Sequence, residues 1–243
     1  MEGTPRPGQI FIGLIVLGGL SMVTYSALER HPWHHYQFLL LLVIAVLVSR
    51  FKLKLPGLNG NMSVNLPFIL IAQAQLSPTE ALIIACASTL MQCLPRAGAK
   101  LKPVQVLFNI STMAIAVGLA GLIFQGRMPL PTARVSGSLL VVLAGATFFL
   151  VQTIPVATVI ALTEGAQMLR TWSSIVHLSF PYYVLSAGVA SIVTTASQHL
   201  GWQIPLLVLP AMYGVYRSYR LYFGRPETSA RPFALAKAAA TSV

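Results

Sequence analysis

The chain has 243 residues, of which 56% are hydrophobic and only 9% are charged, and its formal net charge is +11. Soluble domains carry roughly 25% charged residues, so a surface this poor in charge is unsuited to water. The composition excludes an ordinary soluble protein and predicts an integral membrane protein whose main partner is the lipid bilayer.

The positive charge does not form one patch. Lys and Arg lie in short stretches between apolar runs and near the C-terminus, which is typical of multi-pass proteins of the bacterial inner (cytoplasmic) membrane. We therefore predict that localisation, and we expect no nucleic-acid partner. The two cysteines form no Cys-x-x-Cys motif and no Cys/His cluster, so we expect no metal site and no cofactor.

Apolar runs, taken in chain order, predict up to eight helices. They cover residues 10–28, 36–49, 62–76, 78–94, 103–125, 136–163, 171–197 and 204–223. The second, third and fourth runs are short for a hydrocarbon core of about 30 Å, because a helix rises about 1.5 Å per residue. Runs 62–76 and 78–94 form either two thin helices or a re-entrant hairpin.

The predicted fold is therefore an all-α, polytopic membrane helical bundle with six to eight transmembrane helices over residues 1–224. Residues 225–243 are expected to be a disordered cytoplasmic tail. Placing the N-terminus in the cytoplasm puts 13 of the 16 Lys and Arg residues on the cytoplasmic side. This asymmetry predicts that both termini are cytoplasmic (N-in/C-in).

Two polar motifs lie in predicted outer connections. Ser77-Pro78-Thr79-Glu80 has the pattern of a capping box, so we predict that a helix begins there and that Glu80 has a structural role. The other motif contains three histidines, His31, His34 and His35. These imidazoles are either interfacial polar groups beside Trp33 or an outer pH or metal sensor, and the sequence leaves both interpretations open.

The carboxylates argue against catalysis. All five are Glu, and none lies in the middle of a predicted span. Ion-coupled pumps need ionisable groups within the membrane, and phosphotransferase-like metal chemistry needs acidic clusters. We therefore predict that the chain is not an enzyme and has no catalytic residue.

Polar side chains inside the predicted spans mark a candidate ligand site. The predicted ligand-binding residues are Asn65, Asn109, Gln152, His177 and Tyr182. An amide- and aromatic-lined pocket of this kind suits a small uncharged or lipid-like ligand. The alternative is that these side chains only join neighbouring helices by hydrogen bonds.

Two prolines lie within the sixth and seventh apolar runs. Pro155 and Pro181 each remove a backbone hydrogen bond, so we expect them to interrupt and kink these helices. Discontinuous helices of this kind often line binding sites in membrane proteins.

Five strings, in this order, resemble a known module: "GNMSVNLPFIL", "KPVQVLFNISTMAIA", "VIALTEG", "W…SFPYYV" and "YRSYRLYFGR". Over about residues 40–225 the chain resembles the membrane-embedded N-terminal module of bacterial HD-GYP- and GGDEF-type cyclic-di-GMP signalling proteins. The resemblance implies that the membrane part senses or tethers, while a cytoplasmic domain performs catalysis. Here the residues after Gly224 contain no His-Asp pair, GYP or GGDEF motif, so either the output belongs to a separate cytoplasmic signalling partner or the module acts alone.

The sequence thus favours a non-catalytic membrane sensor or scaffold that binds a small or lipid-like ligand, or a partner protein, within its helices. The alternative is a small-molecule transport or substrate-capture subunit, similar in size to the S-components of energy-coupling-factor transporters. An enzyme acting on lipids is the least favoured class, because acidic motifs are missing.

Overall fold

A computed structural model describes residues 5–29, 32–54, 61–95, 101–125, 137–201 and 203–223. In this part of the chain the helices are α1 (Arg6–Leu28), α2 (His35–Val48), α3 (Leu66–Gln75), α4 (Pro78–Cys93), α5 (Pro103–Phe124), α6 (Gly137–Glu164), α7 (Met168–Leu200) and α8 (Val208–Phe223). Two short strands, β1 (Lys52–Lys54) and β2 (Asn61–Ser63), separate α2 from α3, and a 3₁₀ turn (Ile204–Leu207) precedes α8. The predicted tail, residues 225–243, lies outside the described residues.

The architecture is a helical bundle, as predicted, but the apolar pattern missed the strand pair. Residues 61–63, at the start of the predicted third helix, pair antiparallel with β1, with Leu53 opposite Met62. The helix begins later because Pro67 lies in its first turn, and proline is tolerated there far better than further inside a helix.

Four helices, α1, α5, α6 and α7, are long and apolar enough to cross a membrane. In α1 only 17% of the most apolar 18-residue window is buried within the protein, so most of its apolar surface faces outward. Such a surface requires an apolar medium. Pro155 and Pro181 lie inside α6 and α7, which continue through them, so the predicted interruption of these helices is wrong.

Helix α3 occupies the centre of the bundle. Its first seven residues are all buried, and it packs against α2, α4, α5, α6 and α7. A helix that is apolar on every side is expected only where other helices surround it. At 10 residues α3 is about 15 Å long, roughly half of a hydrocarbon core.

Side-chain contacts define the two ends of the bundle. At one end, the Glu80 end, the start of α4 meets both the end of α1 and the start of α2. At the other, the Met91 end, Arg50 Nη1 donates to the Met91 carbonyl at 3.3 Å. Helices α2 and α4 are therefore parallel, and the chain returns between them through β1, β2 and α3.

Helix α8 is attached at the Met91 end. Its buried residues Val208 and Met212 face the bundle, and Tyr216 contacts the ring of Phe51, just before β1, with centroids 5.2 Å apart. Tyr213, one position after Met212, is exposed. One face of α8 is thus held against the bundle while the other faces outward.

Close packing between α1 and α5 depends on glycine. A Cβ atom on Gly19 would lie 2.6 Å from Ser111 Cβ and 2.7 Å from Ser111 Cα. Small residues allow membrane helices to approach until their backbones are in contact. Gly13, on the same helix, has no heavy atom within 4 Å of such a Cβ position.

We predict that Gly19→Ala destabilises the protein by about 1–3 kcal/mol, because the added methyl group displaces the α5 backbone. Gly13→Ala is the matched control, and it should be neutral or stabilising by up to about 1 kcal/mol, since alanine favours helix. Thermal unfolding of both variants in the same detergent measures the difference. Equal melting temperatures would contradict the proposed close packing.

Candidate functional site

A buried polar junction lies where α3 begins. Asn65 is 4% exposed, and its Nδ2 donates to Ser88 Oγ on α4 at 3.0 Å. Ser88 Oγ donates in turn to the carbonyl of Ala85 at 3.0 Å. Asn65 precedes the helix without capping it through its side chain, so its amide is free to join α3 to α4.

Tyr182 of α7 completes this junction. Its side chain is 1% exposed, and its hydroxyl oxygen accepts a hydrogen bond from the backbone N–H of Leu66 at 3.2 Å. The first N–H groups of a helix lack partners within it, and a buried unpaired group is costly. Tyr182 therefore supplies a partner that α3 cannot provide for itself.

An aromatic cluster between α6 and α7 holds this part of α7 in place. The ring of Tyr183 lies 4.9 Å from that of Phe149, edge to face, and 6.0 Å from that of Tyr182. Edge-to-face pairs of this kind are favourable, worth about 0.5–1.5 kcal/mol beyond their buried area. Tyr182 thus has a fixed position between α3 and α6.

The other predicted ligand-binding residues are placed differently. Asn109 Nδ2 lies 3.4 Å from Cys93 Sγ, and Gln152 Nε2 lies 3.4 Å from Met113 Sδ. Both amides are partly buried and each joins two helices, α5 to α4 and α6 to α5. These contacts match the helix-joining alternative; whether the side chains also bind a ligand stays a prediction.

His177 lies on the exposed face of α7. It is five residues before Tyr182, which corresponds to a rotation of about 140° around a helix. Of the five predicted residues, the structure therefore brings Asn65 and Tyr182 together at the start of α3, and it directs His177 outward.

A second polar cluster lies at the Glu80 end, and the site prediction did not include it. The predicted capping box is present: Ser77 Oγ accepts from the Glu80 N–H at 3.3 Å, and Glu80 Oε2 accepts from the Ser77 N–H at 2.9 Å. Ser77 Oγ also lies 2.7 Å from Glu80 Oε2. Glu80 therefore has the structural role that the sequence predicted.

The same carboxylate contacts the start of α2. Glu80 Oε1 accepts from the His34 backbone N–H at 2.7 Å, and Glu80 Oε2 lies 3.3 Å from His34 Nδ1. The Glu80 side chain is fully buried, whereas that of His34 is 43% exposed. A signal for this contact was present in the sequence, because the predicted topology places both residues in outer connections.

The hydrogen bonds stabilise the ionised form of Glu80, which lies in the first turn of α4, outside the four long helices. The backbone N–H groups of Ser77 and His34 and the Ser77 hydroxyl all donate to this carboxylate, and donors of this kind favour its charged form. Glu80 is therefore a carboxylate at neutral pH.

A narrow cleft lies beside this cluster, between α1, α4 and α5. Its volume is about 340 Å³, which includes space open to the exterior. Its walls are mainly apolar and include Tyr25, Pro78 and Gly118, with Glu29 and Gln125 at the helix ends. A cleft of this shape suits a thin apolar group better than a bulky polar one.

In the described part of the chain, the imidazoles of His34 and His35 make separate contacts. No group of three His, Cys, Asp or Glu residues is placed there to hold a metal ion. His34 contacts Glu80, and His35 stacks on Trp33 with centroids 6.4 Å apart. His31 lies outside the described residues.

Comparison with known protein families identifies the chain. The MASE9 family model matches residues 22–222. The chain belongs to the MASE9 family of membrane-associated sensor domains. No curated protein and no solved structure matches it.

The MASE9 match covers nearly the whole helical bundle. It begins within α1 and ends within α8, so both the junction at the start of α3 and the cluster at the Glu80 end belong to the sensor module. The expectation of a membrane sensor module is confirmed at this level.

We predict that Tyr182→Phe lowers the stability of this MASE9 module by about 1–2 kcal/mol, because the buried N–H of Leu66 loses its acceptor. Tyr183→Phe is the matched control: its ring belongs to the same cluster, and within the described residues no hydrogen bond of its hydroxyl group is seen. Thermal unfolding in lipid nanodiscs measures both variants. A Tyr183→Phe variant as unstable as Tyr182→Phe would show that ring packing, rather than the hydrogen bond, dominates.

Proposed function

We propose that this MASE9 chain is a non-catalytic sensor module that binds a small or lipid-like ligand within its helices and transmits the change to a cytoplasmic signalling partner. The observation that carries the proposal is that α3, a helix too short to cross a membrane, begins inside the bundle beside Asn65, Ser88 and Tyr182. Short helices that end within a membrane bundle are a recurrent feature of binding sites, because their terminal backbone groups can face a ligand.

The ligand class follows from the lining of the junction. Asn65, Ser88 and Tyr182 offer amide and hydroxyl groups, and the buried residues around them are apolar. An ion would require charged groups here, whereas a small uncharged or lipid-like molecule requires only a few neutral hydrogen-bonding groups.

The proposed orientation places the Met91 end in the cytoplasm of a bacterial inner membrane, with several passes and both termini inside. The residues after α2 at this end include Arg50, Lys52 and Lys54, and the exposed Arg217 lies on α8, which contacts β1. Basic residues are concentrated on the cytoplasmic side of membrane proteins. The Glu80 end then faces the outside.

The proposed count remains six to eight crossings. To the four long helices we add α2, α4 and α8, with 14, 16 and 16 residues, which are about 21–24 Å long. Local thinning of the bilayer and snorkelling of flanking Lys and Arg side chains can accommodate helices of this length. Helix α3 forms, with α4, a hairpin whose first arm starts within the bundle. The return from the Met91 end to the Glu80 end through β2 and α3 is the eighth crossing, so both termini lie on the same side.

The proposed route of the signal is α3, α7, α8. Tyr182 links α3 to α7, and α7 leads through the 3₁₀ turn to α8, which leaves the bundle at the Met91 end. A ligand that competes for the Leu66 N–H or for Tyr182 would shift α7 relative to α3. Family membership and the resemblance to cyclic-di-GMP signalling modules support a cytoplasmic partner of that signalling class.

A spin label on α8 tests this route. We predict that Asn65→Leu, which removes the contact between α3 and α4, changes the EPR line shape of a nitroxide attached at Ser218→Cys in nanodiscs. The control is Asn109→Leu, which removes a contact between α5 and α4 and should leave the spectrum unchanged. The chain without Ser218→Cys gives the background from Cys86 and Cys93.

Identical spectra for the parent and Asn65→Leu would contradict the proposed route. The transport alternative is separated by reconstituting the same chain in liposomes. A sensor should not accumulate solute and should not form or hydrolyse cyclic-di-GMP. Accumulation of solute, or co-purification with an ATPase and a coupling subunit, would support a transport subunit instead.

A further inference from the structure

The connection between α1 and α2 is attached to α4 on both sides. Before the connection, Thr79 Oγ1 donates to the carbonyl of Ser26 at 2.8 Å, and Ser26 Oγ lies 3.2 Å from Thr79 Oγ1. After it, Glu80 accepts from the backbone N–H and faces the imidazole of His34. Two consecutive residues of α4 therefore hold the two ends of one connection.

The two attachments differ in chemistry. Thr79 and Ser26 carry hydroxyl groups, which stay neutral at physiological pH, whereas imidazole is the side chain whose charge changes in this range. The His34 imidazole lies 3.3 Å from the buried Glu80 carboxylate. With 43% of its side chain exposed, His34 remains accessible to water and hence to protons. Of these two attachments, only the one at His34 is expected to respond to mild acid.

We propose that the contact between His34 and Glu80 is a proton-binding latch, by which acidity at the Glu80 end controls how tightly the connection between α1 and α2 is held against α4. This inference rests on the proposed sensor function, since it names the proton as one stimulus of the module. The orientation proposed above places the latch outside the cytoplasm.

The direction of the response follows from the protonation states of imidazole. Neutral imidazole has one N–H, which can lie on either nitrogen, so Nδ1 donates to Glu80 in only one tautomer. A proton from solvent that binds the second nitrogen leaves N–H groups on both and adds a positive charge. The bond from Nδ1 to the carboxylate is then obligatory and charge-assisted, and such bonds are stronger than neutral ones. Mild acid therefore tightens the latch.

Other titratable groups lie on the elements that meet at this point. The end of α1 contributes Tyr25 and Glu29, and the start of α2 contributes His35 and Tyr36. Glu29 is acidic and would add to the attraction for a protonated imidazole, whereas a protonated His35 would oppose it. Arg30 and His31 lie outside the described residues, and the contribution of His31 is measured by substitution.

Residues beside the latch line the cleft between α1, α4 and α5. Ser26, which Thr79 holds, and Pro78, which precedes Thr79, both line the cleft. A looser connection between α1 and α2 would let the end of α1 move relative to α4 and α5 and would widen the cleft. Mild acid is thus expected to favour the closed form and higher pH the open form.

The test compares thermal unfolding of the full chain in nanodiscs at pH 5.5 and pH 8. We expect the melting temperature of the wild type to be higher at pH 5.5 by about 2–4 °C. His34→Gln keeps a neutral hydrogen-bonding side chain and should lose this difference. His35→Gln, at an exposed neighbouring imidazole that contacts Trp33, should retain it, and so should a His31→Gln variant.

Glu80→Gln provides a second variant, because it removes the charge of the carboxylate and keeps its shape. If it folds, it too should lose the pH difference; His34→Gln decides the matter if it does not. A pH difference that persists in His34→Gln would overturn the latch, as would a difference that disappears in His35→Gln or His31→Gln alone.

The spin label at Ser218→Cys separates this inference from the proposed function. A line shape that changes between pH 5.5 and 8 in the wild type, but not in His34→Gln, supports both the latch and its connection to α8. A response to Asn65→Leu with no response to pH in either melting or line shape overturns the latch and leaves the sensor route intact. A pH-dependent melting temperature with an unresponsive α8 supports the latch and contradicts the route.

Discussion

The fold depends on how the start of α3 satisfies its backbone within an apolar bundle. The first N–H groups of a helix have no partner inside that helix, and lipid or apolar protein offers none. In α3 each of them is accounted for: Leu66 donates to the Tyr182 hydroxyl, Pro67 has no N–H, and Phe68 and Ile69 donate to the Asn65 carbonyl. The hydroxyl group that α7 contributes at this position therefore lowers the cost of beginning a helix in the interior.

This constraint gives α7 and α3 a shared contact that a purely apolar interface would lack. Interdigitated side chains favour one register of two packed helices, and a hydrogen bond between two particular atoms adds a directional restraint to it. Helices α3 and α4 together form a hairpin held at its turn by the Glu80 cluster and at its base by Asn65, Ser88 and Tyr182. The hairpin is thus attached to the connection between α1 and α2 at one end and to α7 at the other, and the proposed signal route depends on this arrangement.

The sequence predicted where the helices lie along the chain better than it predicted which face of each helix points into the bundle. Apolar runs located the long helices, and the capping box at Ser77 was predicted and is confirmed, because it depends on local spacing alone. The outward direction of His177 and the partner of Glu80 could not be predicted in the same way. In helices that are apolar on nearly every side, hydrophobic periodicity does not show which face is internal, so facing is decided by tertiary contacts such as Gly19 against Ser111.

The strand pair was missed because apolar runs do not reveal very short strands. Asn61–Ser63 carries too few residues for a pattern of alternation. Residues 55–60, between it and Lys52–Lys54, do contain Pro-Gly and Asn-Gly, which are turn signals that a search for apolar runs passes over. The sequence predicted some residues of the candidate site but not their contacts. A search for polar residues within apolar runs finds Asn65 and Tyr182, because each is costly to bury without a partner. It does not identify which partner each one has. It also passes over Glu80, because the capping role of this carboxylate explains its contact with Ser77 but not its contact with His34.

The scarcity of charge in the interior limits how such a module can carry a signal. An ionised group at mid-membrane costs several kcal/mol or more, so a response that required charge to appear there would have to offset that cost at every cycle. Neutral contacts such as those of Asn65 and Tyr182 cost less to exchange, since each is worth about 1 kcal/mol. Charge is instead confined to the ends of the bundle, where Glu80 is stabilised by several donors and His34 reaches water. The energetics of the bilayer therefore favour a module in which charged groups at the ends of the bundle detect the stimulus. Neutral hydrogen bonds that rearrange within the bundle would then transmit it.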